Sequence, residues 1–322
     1  MAKQKVLLLG ATGHTGSSIL KALLKDKSSF EVEALVRPSS AEKPEVKKLQ
    51  DDLGVKIVIV DIVSAPMEDL VKVLGGIDVF ISAIDAMGQA SQLRLVTAAK
   101  EAGVKRFVPC AWITVCPPGG VMKLRDSKQE VYQEIWKSHV PYTIIDVGYW
   151  HQISFPTLPS GKVDYASFWP KTEIHAGGDI PNMLTDLRDI GNFVALIIKD
   201  ERTLNRFVCT YSDALSENEI FAMIEEMAGE KVARKEVSAS DILAMRTTAS
   251  TGIAADPTNA QAQMMFYLAE YDYSKYVRGD NTPEYAKYLG YLDARELYPE
   301  FKPIGFRDFL GELLEGKVER IY

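Results

Sequence analysis

The chain has 322 residues, of which 47% are hydrophobic and 25% charged. That is enough to bury a sizeable core in two lobes, and it excludes a disordered chain. A formal net charge of −7 without a long basic run excludes general affinity for nucleic acid. No apolar stretch approaches the ~18 residues of a membrane span, and Val6–Leu9 is too short for a secretion signal. A cytoplasmic protein is therefore expected. Its three cysteines, Cys110, Cys116 and Cys209, match no zinc or redox spacing, and no metal is expected.

In chain order, short apolar runs alternate with amphipathic ones, the pattern of βαβ units. Strands are predicted at Val6–Leu9, Val32–Val36, Lys56–Val60, Val79–Ala83, Arg106–Pro109 and Tyr142–Val147. Helices are predicted at Thr15–Lys25, Pro44–Leu53, Pro66–Leu74, Gln89–Glu101 and Ser127–Ser138. Most strands are unbroken Val/Ile/Leu runs, as in a parallel sheet covered on both faces. The fold expected is α/β, a Rossmann-type doubly wound sheet over residues 1–150 followed by a smaller lobe, mainly substrate-binding, over 151–322. Residues 148–182 read as loops and short strands, followed by a helix at Asp189–Lys199 and a strand near Phe207–Thr210. Ser216 and Glu219 have capping-box spacing and predict a helix through Met227; residues 238–275 read as helical.

The first strand runs directly into Gly10-Ala11-Thr12-Gly13-His14-Thr15-Gly16 and then into a helix. In that context Gly10 permits the tight turn, Gly13 admits a pyrophosphate to the backbone, and Gly16 allows close helix–strand packing. The helix N-terminus supplies amide donors and positive potential, with Thr12, His14 and Thr15 alongside. The second strand ends at Arg37, where an NAD site usually carries an acid; an arginine suits a 2′-phosphate. NADP(H) is thus the expected cofactor, with Lys47 as a further charge and Ser82, Ala83 and Ile84 along its path. Cys110, after the fifth strand, is expected beside the cofactor as a packed thiol rather than a nucleophile.

These pieces, with Ala102-Gly103-Val104-Lys105-Arg106-Phe107-Val108-Pro109 and Val140-Pro141-Tyr142-Thr143, resemble the NmrA-like and isoflavone-reductase-like family of atypical short-chain dehydrogenases. Asp189-Ile190-Gly191, Arg202-Thr203-Leu204-Asn205, Leu215-Ser216-Glu217-Asn218-Glu219 and Glu296-Leu297-Tyr298-Pro299 continue the match in family order. The resemblance implies that the nucleotide domain also takes in about 185–212 and 278–300. It also places the reductases' lysine, which holds the nicotinamide ribose and assists proton transfer, at Lys128. Independently, Ser127-Lys128-Gln129-Glu130 fits a capping box, which puts Lys128 in a helix's first turn at the ligand-binding edge of the sheet. Lys128 also shares the stripe of Val131 and Ile135, the face expected to be buried. The chain departs from the family at Cys110-Ala111-Trp112-Ile113 and Gly148-Tyr149-Trp150, so no substrate transfers. The tyrosine of an ordinary Tyr-x-x-x-Lys pair is replaced by Leu124.

The function expected is NADPH-dependent reduction of a mid-sized, apolar or aromatic molecule of secondary metabolism. Lys128 and Tyr149 are the catalytic candidates. Trp112, Tyr149, Trp150, Phe155 and Met265 are the substrate candidates, with Phe168, Trp169, Met264, Phe266 and Tyr267 as further aromatic or sulfur-bearing neighbours. The bond reduced (C=C, C=O, C=N or benzylic ether) stays open. Two alternatives stand: a non-catalytic NADP(H)-binding regulator, which needs no lysine at the crevice, and an NADP-bound enzyme of cyclisation or rearrangement. A small molecule is the expected partner, nucleic acid and membrane are not, and a homodimer is allowed.

Overall fold

A computed structural model describes residues 3–168 and 171–321; Trp169, expected among the pocket aromatics, lies outside them. The chain runs β1 (Gln4–Leu9), α1 (His14–Lys25), β2 (Phe30–Val36), α2 (Pro44–Asp51), β3 (Lys56–Ile59), α3 (Met67–Leu74) and β4 (Val79–Ser82). It continues through α4 (Gln92–Ala102), β5 (Arg106–Val108), α5 (Lys123–Lys137), β6 (Thr143–Asp146), β7 (Tyr149–Trp150), β8 (Glu173–His175) and β9 (Asn182–Thr185). Then come α6 (Leu187–Ile197), β10 (Arg206–Cys209), β11 (Asp213–Leu215), α7 (Glu217–Ala228), β12 (Lys235–Val237), α8 (Ala239–Ala255) and α9 (Ala260–Asp272).

Two compact units result: residues 1–112, 127–146 and 187–208 form the first, and 113–126, 147–186 and 209–322 the second. Residues 278–300 cluster with the second unit. In the first, β3-β2-β1-β4-β5 form a parallel sheet in the Rossmann order. Its central strand buries Val6, Leu7 and Leu8 completely, because helices cover both faces. The edge strand β3 instead exposes Lys56 and Ile59. Beyond β5 the sheet direction is kept by a parallel bridge between Phe107 and Tyr142.

Two polar details fasten the returning segment 187–208 to this unit. Arg106 is buried, and its guanidinium donates to Thr143 Oγ1 at 2.9 Å, Thr203 Oγ1 at 2.7 Å and the Asp200 carbonyl at 3.1 Å. Gly191 lets α6 lie directly on α1: its amide donates to Ser18 Oγ at 3.0 Å, and a Cβ there would stand 2.0 Å from the Ser18 carbonyl oxygen. The backbone itself blocks any side chain, so Gly191→Ala is expected to cost roughly 3 kcal/mol, the upper end for an overpacked contact. Urea unfolding of the two proteins at matched pH measures it; a loss under ~1 kcal/mol would mean that the helices separate freely.

In the second unit, β11-β9-β7 and β12-β8 make small sheets over a core of Phe155, Phe221, Phe306 and Phe309. Ser216 caps α7 as its spacing predicts, both hydrogen bonds of the box being formed. The capping box expected at Ser127 is not the start of a helix. α5 begins at Lys123, so Lys128 sits in its second turn rather than its first. Two carboxylates hold the backbone at this earlier start, one of them distant in sequence. Glu270 accepts the Lys123 amide at 2.7 Å, while Asp126 turns back to accept the amides of Gly119 and Gly120 at 2.7 and 2.8 Å. Among the described residues no helix is long and apolar enough to cross a membrane.

Candidate active site

At the carboxyl edge of the parallel sheet lies a groove of about 300 Å3 whose lining includes Gly10, Thr12, Gly13, Arg37, Ala83 and Ile84. Its floor is the β1–α1 turn. Gly10 has φ +87°, and a Cβ there would lie 2.3 Å from the Ala83 carbonyl oxygen. Gly16 is equally constrained, its hypothetical Cβ 2.0 Å from the Gly10 carbonyl oxygen. Gly13 differs: its nearest neighbour would be 3.5 Å away, so nothing in the protein itself requires glycine there. The first turn of α1 has neither a side-chain cap nor an acidic residue, which leaves its amides and positive end to an anion.

Arg37 follows β2 at the groove and is exposed; no carboxylate among the described residues pairs with it. Lys47 is instead paired with Glu42 at 2.9 Å and does not line the groove. Thr12 and His14 are exposed, Thr15 half-buried and Gly16 buried. The apolar wall comes from Leu35, Val36, Val46 and Ile62, residues that the glycine pattern alone does not reveal. Asp85, Gly88 and Ser91 complete the lining and were equally invisible in the sequence.

Lys128 is 2% exposed, on the same buried stripe as Val131 and Ile135. Its ammonium donates to the Cys110 carbonyl at 2.7 Å and lies 3.8 Å from Cys110 Sγ. Cys110 in turn gives its thiol to the Ile84 carbonyl at 3.2 Å and its amide to Gln92 Oε1 at 2.8 Å. Gln92 also donates to Gln89 Oε1 at 3.0 Å, and both glutamines are buried. Lys128 is thus tied, through Cys110, to the Ile84 end of the groove. Sequence reading missed the glutamine pair, although buried glutamines at and just before the start of α4 are costly without such a role.

Ser82 is fully buried, and its carbonyl accepts the Trp112 indole N–H at 2.8 Å. Trp112, 8% exposed with φ +45°, is therefore a wedge held inside the first unit. In the second unit Phe155 is a core residue packed against Phe309, with ring centroids 6.0 Å apart. Trp150 and Met265 are half-buried and do not line the large cavity of that unit, whereas Tyr149 does. Lys275 carries its ammonium 3.6 Å from the centre of the Tyr149 ring, a feature no sequence motif announced.

The arrangement offers open helix-start amides on a glycine turn, an exposed cation after β2, and a buried amine joined through Cys110 to Ile84 of the groove. Relatives share the whole length. The chain is 38% identical to the asnovolin J 5′,6′-dehydrogenase of Aspergillus novofumigatus, covering 97% of this chain and 95% of that one. It is 28% identical to a phenylcoumaran benzylic ether reductase of Nicotiana tabacum, over 97% and 99% of the two chains. Its fold matches the leucoanthocyanidin reductase–NADPH complex of Vitis vinifera with a TM-score of 0.79, at 23% identity over 97% and 99%. With residues 2–310 also matching the NmrA-like family model, the chain belongs to the NmrA-like family.

Proposed function

We propose that the protein is an NADP(H)-dependent oxidoreductase of a mid-sized, apolar or aromatic small molecule of secondary metabolism, with Lys128 at the nicotinamide. One observation carries the reading: a buried lysine, fixed by the carbonyl of Cys110, whose thiol in turn meets Ile84 in the wall of the glycine-turn groove. A regulator that only senses the cofactor has no use for a buried ammonium there, and burying one is expensive. The names of the relatives, a dehydrogenase and a reductase, agree with hydride chemistry in either direction.

The residues present fit the cofactor. Gly10 and Gly16 hold a turn that no side chain could enter, Gly13 leaves room over the helix start, and Arg37 offers an unpaired guanidinium. When bound, NADPH supplies the hydride; the protein supplies position, a proton and exclusion of water. In this reading the amides of α1 hold the pyrophosphate and Arg37 the 2′-phosphate. Lys128 orients the ribose and stands ready to pass a proton, its position kept by Cys110 and, behind it, Gln92.

Cofactor choice tests the groove directly. NADPH is expected to bind about 10- to 100-fold more tightly than NADH, the worth of a charge-assisted hydrogen bond, and Arg37→Ala to remove most of that gap. Calorimetric titration of both cofactors into both proteins measures it. Equal affinities in the wild type, or an unchanged gap in the variant, would overturn the assignment of Arg37.

A further inference from the structure

The second unit contains a cavity of about 500 Å3, within the usual size range for small-molecule sites, lined in part by Tyr149, Ile153, Met245, Leu268, Lys275 and Tyr276. The surface it offers is mainly apolar, although Lys171, Glu173, His175, Lys235, Glu236, Asp241 and Asp272 also line it. At its wall the Lys275 side chain is 2% exposed, one of the largest fully enclosed side chains described. A buried ammonium needs acceptors for three N–H groups, and this one is poorly supplied. Its hydrogen bond goes to Tyr276 Oη at 3.1 Å, and the Tyr149 ring covers one side at 3.6 Å.

Of the carboxylates lining the cavity, Glu173 pairs with Lys235, Glu236 accepts the Gly177 amide and Asp241 the Ser238 amide, while Asp272 divides its two oxygens between Lys275 and His175. Asp272 reaches Lys275 only at 3.8 Å, beyond hydrogen-bond distance, and faces His175 Nε2 at 3.7 Å. Glu217 accepts the His175 amide at 2.7 Å and its Nδ1 at 3.0 Å, with Lys171 a further 3.9 Å contact. His175 is itself stacked on Tyr276 and held between the two acids. Burial accordingly wins over the attraction of Asp272, and the Lys275 ammonium is lowered to about 8. It remains mostly charged at neutral pH, with Tyr276 Oη its one hydrogen-bond acceptor within 3.5 Å among the described residues.

We propose that this cavity recognises an apolar small molecule through one acidic oxygen, a phenol, enol or carboxylic acid, which Lys275 receives as its anion. The proposal rests on the oxidoreductase reading only for naming that guest a substrate. Binding itself requires neither cofactor nor turnover. The acidic oxygen fills the place that Asp272 does not reach, and the rest of the molecule lies against Tyr149, Met245 and Leu268. The guest's proton is released to solvent, because the lysine is already protonated and the bound oxygen is the anion.

Matched probes test it on the full chain without cofactor. 7-Hydroxycoumarin is expected to bind at least tenfold more tightly than 7-methoxycoumarin, and to show its phenolate absorption band when bound at a pH where the free dye is mostly neutral. 2-Naphthoate against its methyl ester reports whether a carboxylate is taken as well as a phenolate. In Lys275→Met, which keeps the volume and removes the cation, the preference should fall to within about twofold while the methoxy probe binds as before. Equal affinity of each matched pair in the wild type overturns the proposal, and so does the absence of binding or of the phenolate band. These arms need no variant and stand if Lys275→Met does not fold. A preference that survives in Lys275→Met overturns it too. A protein that binds the probes but never oxidises NADPH would instead count against the oxidoreductase reading alone.

Discussion

Lys128→Met is expected to lower turnover by about 10²–10⁴-fold, the usual contribution of a positioned proton donor, while NADPH affinity stays within a few-fold. Methionine rather than alanine is the informative change, because Lys128 is buried and truncation would open a cavity beside Val131 and Ile135. The substitution leaves the Cys110 carbonyl without its ammonium donor but keeps the stripe filled. Cofactor affinity should survive, since the glycine turn and Arg37 lie in other parts of the groove's lining. Single-turnover NADPH oxidation against a panel of aromatic and terpenoid compounds gives the rate, and calorimetry the affinity. Activity within a few-fold of wild type would remove Lys128 from the chemistry. A regulator would behave differently again, because the wild type would oxidise NADPH with no compound in the panel.

Gln92 provides an independent check on the same lysine. It accepts the Cys110 amide, whose residue holds the ammonium, so Gln92→Leu should loosen the ammonium's position without removing its charge. A smaller loss of turnover than Lys128→Met gives, with unchanged cofactor affinity, is the signature of a positioning residue.

What could be read from the sequence divides along physical lines. Strands buried on both faces announce themselves as unbroken apolar runs, so β1, β2 and β4 were predicted within a few residues. The glycine turn after β1 was legible because steric demands at Gly10 and Gly16 are local. Several motifs that carried the family resemblance are architectural. Arg106 ties to Thr203, Gly191 seats α6 on α1, and Asn205 takes a left-handed φ of 58° while accepting the Tyr142 amide. The start of α5 was misread because its capping partner, Glu270, lies far along the chain and no local spacing reveals it. The burial of Phe155 and Trp112 was not legible for a related reason: an aromatic residue in a loop looks the same whether it lines a pocket or plugs a core. Lys275 was hidden because its burial depends on Tyr149, a residue from a distant strand.

Gly13→Val separates the two uses of glycine in the phosphate turn and should abolish most cofactor binding without unfolding the protein. Gly13 caps α1 in an extended conformation, φ −77° and ψ 168°, which a β-branched residue adopts without strain. Its Cβ would meet nothing closer than 3.5 Å, so the direct steric cost is small and the loss of a favourable N-cap adds at most ~1 kcal/mol. The groove, however, opens over this residue. A valine there holds a pyrophosphate away from the first amides of α1. Losing one or two charge-assisted hydrogen bonds, at about 1.5–3 kcal/mol each, lowers NADPH affinity by at least ~10²-fold. Gly16→Ala is the control, because its Cβ would lie 2.0 Å from the Gly10 carbonyl oxygen whether or not cofactor is present. That variant should lose stability in the absence of NADPH, whereas Gly13→Val should unfold like the wild type and differ only in failing to be stabilised by the cofactor. Thermal unfolding with and without NADPH reads both effects at once. If Gly13→Val is stabilised by NADPH as strongly as the wild type, the pyrophosphate does not lie on this turn, and the assignments of Arg37 and Lys128 to the cofactor fall with it.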